Sequence, residues 1–297
     1  MSKMQKLIPL VLFANVAAIA TGCGQAQMPT QMGAQRQAAA MPTVMANGRQ
    51  YKLGFDDKRY KQIDKKIKKT RMPRQGLLPT RMDNRDFCSP VADQGKLGAC
   101  TAFAVGKGFR EFQVNKRDER KAPLSAMFLY YESRARWGTV MSDSGSTISD
   151  SMAVLGQKGI APEQSWPYDV LKFTVEPSKD AYEAAKEYRY GETIRLTGLE
   201  DVKVALSKGE AVPFAFDVME SFRVGSDGMM PIPKRGEKKR GGHAVMAVGY
   251  DNQKQVVTVR NSWGADWGDK GYFYMPYGYY ETQTNGQFYY GDCWVLD

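Results

Sequence analysis

The apolar pattern of this chain changes period once, near residue 192, and that change decides what the chain can build. Upstream, apolar residues recur at helical spacing: Phe103, Ala104, Gly108 and Phe112 after Cys100, then residues 124–136, then 147–158 after the turn Asp143-Ser144-Gly145-Ser146, and a shorter run from Ala181 to Glu187. Downstream, residues 211–218, 243–250, 255–260 and 271–275 are short, β-branched or aromatic, and separated by Gly, Asn and Asp. Helices followed by strands predict an α+β protein, with a helical half, a sheet half and a cleft between them. Folded sequence is expected to begin near Leu78. Residues 221–242 lack periodicity and are rich in Gly, Pro, Lys and Arg, which predicts a long loop just before His243.

The formal charge of +10 invites a nucleic-acid reading, and its location excludes it. Residues 48–75 hold eleven Lys/Arg against three Asp/Glu, whereas residues 76–297 hold 28 against 29. A nucleic-acid-binding domain carries its charge on the folded surface. Within the basic segment, Tyr60, Ile63 and Ile67 fall at helical spacing. The stretch reads as a prosegment helix, as a patch on anionic lipid or as a solvated charge run.

The N-terminus reads as an export signal, residues 1–22: Lys3 and Lys6, then an apolar run from Leu7 to Ala20, short for a membrane span. It ends Ala20-Thr21-Gly22-Cys23, which resembles the lipobox of bacterial lipoproteins and implies acylation at Cys23. The expected location is the bacterial cell envelope, held by lipid, or the extracellular space. Residues 24–47, rich in Gln, Ala, Met, Pro and Gly, are expected to be a structureless tether, so that 23–77 forms a tether and basic prosegment-like region.

The chain has one histidine, His243, so any imidazole chemistry belongs to it. Two apolar runs flank the turn-like Asp251-Asn252-Gln253-Lys254. In a hairpin centred on Asn252, His243 and Asn261 lie nine residues to either side and face each other. A one-residue slip would put them on opposite faces. An Asn carbonyl oxygen on the ring would fix its tautomer and orientation, and Trp263 would shield that bond from water. Equally, the two form a buried polar pair that satisfies itself. Cys100 stands at a predicted helix start, where the helix dipole lowers a thiol's pKa; the plainer reading is a small core cysteine. Gln94, one loop earlier, offers an amide that with the Cys100 N–H would make an oxyanion hole.

Gln94-Gly95-Lys96-Leu97-Gly98-Ala99-Cys100-Thr101-Ala102-Phe103 resembles the nucleophile segment of papain-like cysteine peptidases. Gly242-His243-Ala244-Val245, Asn261-Ser262-Trp263-Gly264 and Ser165-Trp166-Pro167-Tyr168 resemble further motifs of that family, in order, over about residues 78–297. The resemblance implies a two-lobed fold, a helical lobe (about 95–190) and an antiparallel barrel-like lobe (about 192–297), with the active-site cleft between them. It implies Cys100 as nucleophile, His243 as acid and base, Asn261 as orienting residue, Gln94 as oxyanion donor, and endopeptidase action through a thioester. It places substrate backbone on Gly145 and Ser146 as an added strand, puts the main specificity pocket at Ala215 with its neighbours Phe214 and Phe216, and counts Gly242 among the substrate-binding residues. Peptides or proteins are then the partners, with the membrane reached through lipid and no metal or cofactor. A transpeptidase or amidase on the same site, and a non-catalytic binding module, are the alternatives. The departures are Leu97 in place of a disulfide cysteine, Thr101 in place of Trp, and Ser146 in place of the second glycine of a pair. The family's helical propeptide signature is missing from residues 24–77. Segments such as Asp86-Phe87-Cys88-Ser89-Pro90-Val91 look like the bacterial branch, and the resemblance makes a Cys88–Cys293 bridge plausible.

Overall fold

The computed structural model describes residues 40–64, 70–73, 76–118, 123–281 and 290–296. The signal and lipidation segments, Cys23 and Ile67 lie outside them. The described chain starts with an arm: a hairpin of β1 (Thr43–Ala46) and β2 (Arg49–Lys52), turned at Asn47-Gly48, then an extended stretch and helix α1 (Asp57–Asp64). Positive φ at both Asn47 and Gly48 fits the two-residue hairpin turn that such residues favour. The expectation of a structureless tether to residue 47 and of folding from Leu78 is therefore corrected. Tyr51, Leu53 and Phe55 alternate along the arm and bury one face against the body, and Val44 and Tyr60 are buried too.

The body follows the expected order. Short strand β3 (Arg81–Asp83) precedes a long helix that begins as α2 (Cys100–Ala102), continues π-helically over Phe103–Arg110 and ends as α3 (Glu111–Asp118). Helices α4 (Ala126–Ala135), α5 (Ile148–Gln157) and α6 (Lys179–Ala185) complete the helical lobe around Phe109, Phe112, Phe128, Leu129 and Leu155. Ser125 caps α4, and Thr147 with Asp150 forms a capping box on α5. Beyond it, β4 (Thr193–Arg195) leads to α7 (Leu199–Ser207), a helix in the half expected to be strands. Its signal was present in Val202, Ala205 and Leu206, which lie on one buried face.

The sheet lobe is built from β5 (Val212–Met219), β6 (Lys239–Asp251), β7 (Val256–Arg260), β8 (Tyr272–Pro276), a single turn α8 (Tyr277–Glu281), and the short β9 (Tyr290–Gly291) and β10 (Trp294–Leu296). The antiparallel order is β8-β7-β6-β5-β9, with β3 also on β6 and β10 on β4. Phe214, Phe216, Val245, Val257, Val259 and Phe273 fill its core. Strand β6 begins at Lys239, so the predicted loop stops short of residue 242.

The β6–β7 register matters most. Asp251 pairs with Val256 and Gly249 with Thr258, then the register shifts so that Ala247 pairs with Val259 and Met246 with Arg260. The hairpin is thus centred beyond Asn252, and the expected face-to-face register of His243 and Asn261 is not the one formed. The extra residue, Val248, makes a bulge whose carbonyl is taken by Asn84 N of the β3 edge at 2.8 Å. Extrapolated without the bulge, the register would put residues 243 and 261 on opposite faces; the single shift restores a shared face.

Cys88 and Cys293 both remain thiols, which corrects the expected bridge. Cys88 packs against the helical core beside Tyr272 and Arg260, while Cys293 belongs to the sheet-lobe core. The lobes are instead joined by a buried carboxylate. Asp292 accepts from Ile148 N (3.0 Å), Ser149 N (3.2 Å) and Ser149 Oγ (2.6 Å) at the start of α5, and from Trp294 Nε1 (2.8 Å). Replacing it strands four donors away from water. Asp292→Ala is expected to cost about 2–4 kcal/mol, read as a lower urea midpoint at unchanged slope.

Candidate active site

Strand β6 carries the histidine and the helix start carries the cysteine, and the core brings them together. His243 is fully buried, and its Nε2 lies 2.8 Å from Asn261 Oδ1. An amide oxygen only accepts, so Nε2 holds the proton and Nδ1 presents its lone pair. Nδ1 has no hydrogen-bond partner among the described residues. Trp263 stacks on the imidazole at 4.8 Å and 28°, and Phe216, its neighbour across β5, meets it edge-on at 5.9 Å. Asn261 N is held by Gly271 O at 3.0 Å, which fixes the amide from behind. The expected pairing of His243, Asn261 and Trp263 is thus present, reached through the bulge.

Cys100 opens α2 and is fully buried, in the same core cluster as Ala244, the residue after His243. Gln94 lies alongside. Its side-chain oxygen accepts from Ser262 Oγ at 2.7 Å, which turns the amide nitrogen toward Leu97 O (2.9 Å) and the arm carbonyl Lys52 O (3.1 Å). Sequence reasoning missed Ser262 as the orienting partner of that amide.

It expected a helix in the basic stretch, where α1 forms, and missed the hairpin and the strand that precede it. Residues 51–56 lie in the cleft between the two lobes. Phe55 N donates to Gly242 O (3.1 Å) on the sheet side; Ser146 N donates to Gly54 O, and Asp56 N to Ser146 O, each at 3.0 Å, on the helical side. Ser146 and Gly242, two of the residues expected to bind substrate, are therefore engaged by a peptide strand, the added-strand mode of recognition. Tyr51 stacks on Trp263 at 4.9 Å. At the narrowest point a Cβ on Gly54 would overlap the Gly98 carbonyl, and one on Gly145 would overlap the Gly54 carbonyl. Gly145 also has φ of +70°, so glycine is needed there twice over. Ala215 pairs with Ala244 and is buried in the same core cluster as Phe55. The alternation of Tyr51, Leu53 and Phe55 was the signal that could have placed a strand here.

Helix α1 ties the arm down. Asp64 pairs with the buried Arg195, whose guanidinium also donates to Tyr60 Oη; Arg59 lies over Trp137 and 3.7 Å from Asp150; Lys239 holds Asp57 at 2.7 Å. On the other side Arg49 reaches Asp93 (3.1 Å) and Lys52 reaches Asp143 (2.6 Å). With the arm in place the reactive pair is uncharged. Burial pushes the Cys100 thiol up to about 11 despite the backbone N–H groups around it, and burial pulls His243 down to about 4 against its Asn261 bond.

The chain belongs to the papain family of cysteine proteases, whose profile matches residues 78–291. It is 34% identical over 216 residues to an uncharacterized peptidase C1-like protein of Acanthamoeba polyphaga mimivirus, covering 69% of this chain and 68% of that protein. It is 29% identical to the thiol protease aleurain of Arabidopsis thaliana, spanning 69% of this chain and only 57% of aleurain. Among solved structures, xylellain, a cysteine protease from Xylella fastidiosa, superposes with a TM-score of 0.68 at 32% identity, covering 77% of this chain and 91% of that one. The fold is the two-lobed papain-like one, and the chain is a papain-family cysteine peptidase.

A buried, neutral thiol is a poor nucleophile. In the intact chain at pH 7, Cys100 is expected to react with iodoacetamide about two orders of magnitude more slowly than an exposed cysteine. Mass spectrometry of timed samples measures this, and labelling of Cys100 as fast as of a small free thiol in the same solution would show that the arm is not seated.

Proposed function

We propose that this chain is an exported endopeptidase, anchored by lipid at Cys23 and held latent by its own arm. Its working residues are Cys100, His243, Asn261 and Gln94. The observation that carries the reading is the convergence at one point of an Asn-oriented imidazole, a helix-start thiol and an amide already bonded to a peptide carbonyl. The likeness to xylellain favours the bacterial branch of the family. With the arm displaced, water and a substrate carbonyl enter where Lys52 O and Gly54 now lie. The Cys100 thiol passes its proton to His243 Nδ1 and the sulfur attacks the carbonyl carbon. Gln94 Nε2 and the Cys100 N–H stabilise the oxyanion, and the imidazolium protonates the departing amine to leave a thioester. His243 then takes a proton from water, which hydrolyses the thioester and restores the thiol.

Gly54→Leu tests latency, because a side chain at the crossing cannot coexist with a seated arm. The full-length variant is expected to cleave unfolded protein and to take up an epoxide probe at Cys100 at neutral pH much faster than the parent. In that background His243→Ala is expected to lower kcat by about 10²–10⁴-fold, with circular dichroism unchanged. Amine acceptors in the assay distinguish hydrolysis from transfer.

Latency also has a pH signature. The seated arm keeps His243 neutral, pulled from 6.5 to about 4, so its advantage is complete above pH 6.5 and is lost as pH falls toward 4, where the open state takes up the proton. Cys100 acts oppositely: raised from 9.0 to about 11, it favours the seated arm below pH 9 and loses that preference above it. Basal activity of the parent chain is therefore expected to be lowest between about pH 6.5 and 9 and to rise toward pH 5, measured with a peptide substrate after brief exposure to each pH.

A further inference from the structure

Two departures from the family pattern, Thr101 and Ser146, touch each other. Thr101 Oγ1 is hydrogen-bonded to Ser146 Oγ, and both residues are fully buried. Thr101 follows Cys100 on α2, so one end of this bond is covalently next to the nucleophile. At the other end, Ser146 offers both its N–H and its carbonyl to the strand in the cleft, bonded to Gly54 O and Asp56 N. Its side chain faces the other way, into the helical lobe.

The neighbours of Ser146 are anchored by other means. Asp143 accepts from Gly98 N (3.0 Å) and Tyr130 Oη, Gly145 N donates to Tyr130 Oη (3.3 Å), and Thr147 caps α5. Both backbone groups of Ser146 are spent on the ligand, so its hydroxyl is what ties the residue itself to the body. That tie runs to the residue beside the thiol. A tryptophan at 101 would fill the space in which the Ser146 side chain lies, and a glycine at 146 would have nothing to hold; the two departures make sense as one exchange, packing replaced by a hydrogen bond.

We infer that the Thr101–Ser146 hydroxyl pair is the positioning device that sets the substrate-pairing backbone of Ser146 relative to the Cys100 nucleophile. This rests on the peptidase reading, in which a substrate strand takes the place of residues 54–56. Thr101 and Ser146 act through the strand register; neither is a catalytic residue.

The test uses two readouts on the full chain. The first is amide hydrogen exchange with the arm seated. Thr101→Val, which keeps shape and removes the hydroxyl, is expected to speed exchange at Ser146 and Asp56 by about tenfold, the worth of one hydrogen bond. Leu129 in the core is expected to stay unchanged. The second is kinetics in the Gly54→Leu background. Thr101→Val is expected to raise KM about tenfold for peptides long enough to pair with Ser146. The kcat of those peptides and all constants of a single-residue ester are expected to stay within about twofold of the parent.

Two further variants separate positioning from packing. Thr101→Ser restores the hydroxyl and is expected to restore both readouts. Thr101→Val with Ser146→Ala removes the stranded hydroxyl, so the melting temperature recovers while the raised KM persists. Unchanged exchange at Ser146 and Asp56 in Thr101→Val overturns the inference, as does a KM that recovers together with the melting temperature. Absence of any activity in the Gly54→Leu background counts against latency alone, and the exchange readout still decides this point.

Discussion

Strand β6 is the member on which everything else is hung. It pairs with β5 and β7 along its length and with β3 at its end, and it presents Gly242, His243 and Ala244 in sequence to the cleft. Gly242 accepts the arm's Phe55 N–H, His243 donates to the Asn261 side-chain oxygen, and Ala244 is buried in one cluster with Cys100. Their value depends on parity. A strand alternates faces at every residue, so the meeting of His243 with Asn261 hangs on the single extra residue at Val248, closed off by Asn84 from the edge. The imidazole can be buried among Trp263 and Phe216 because that one register shift gives it a polar neighbour on the same side.

Much of this was legible in the sequence, and the reasons for the rest are physical. A lone His243, a Cys100 at a helix start and Asn261 beyond a turn state their chemistry through residue type and spacing. The α-then-β order followed from the change of period. The hairpin register did not, because a bulge leaves no compositional mark; symmetry about Asn252 brought the right residues together through the wrong pairing. Helix α7 was overlooked because its apolar face is short and sits among strands. The start of the arm was read as tether because Met, Gln and Ala dominate up to residue 47, and the strand after it went unseen because Tyr51 and Phe55 find their partners far along the chain, at Trp263, Ser146 and Gly242. Its key residue, Gly54, carries no side chain at all, and what it does is set by backbone on backbone.

The site also has two chemical states. With the arm seated, thiol and imidazole are both neutral, and aromatic rings exclude the water that would allow charge separation. Occupation of the cleft therefore blocks access and also removes the dielectric in which a thiolate and an imidazolium can exist together. The catalytic elements are in place while the medium they require is not.

Because β1, β2 and α1 belong to the same polypeptide as the cleft they fill, the arm never dilutes. A tethered segment competes at an effective concentration on the order of millimolar, whatever the abundance of the protein around it. Occupation of the cleft by the arm is then a first-order property of each molecule, indifferent to crowding. Only severing the chain between Asp64 and Leu78 would turn the plug into an ordinary ligand that can be lost by diffusion, which makes a cut there irreversible in effect.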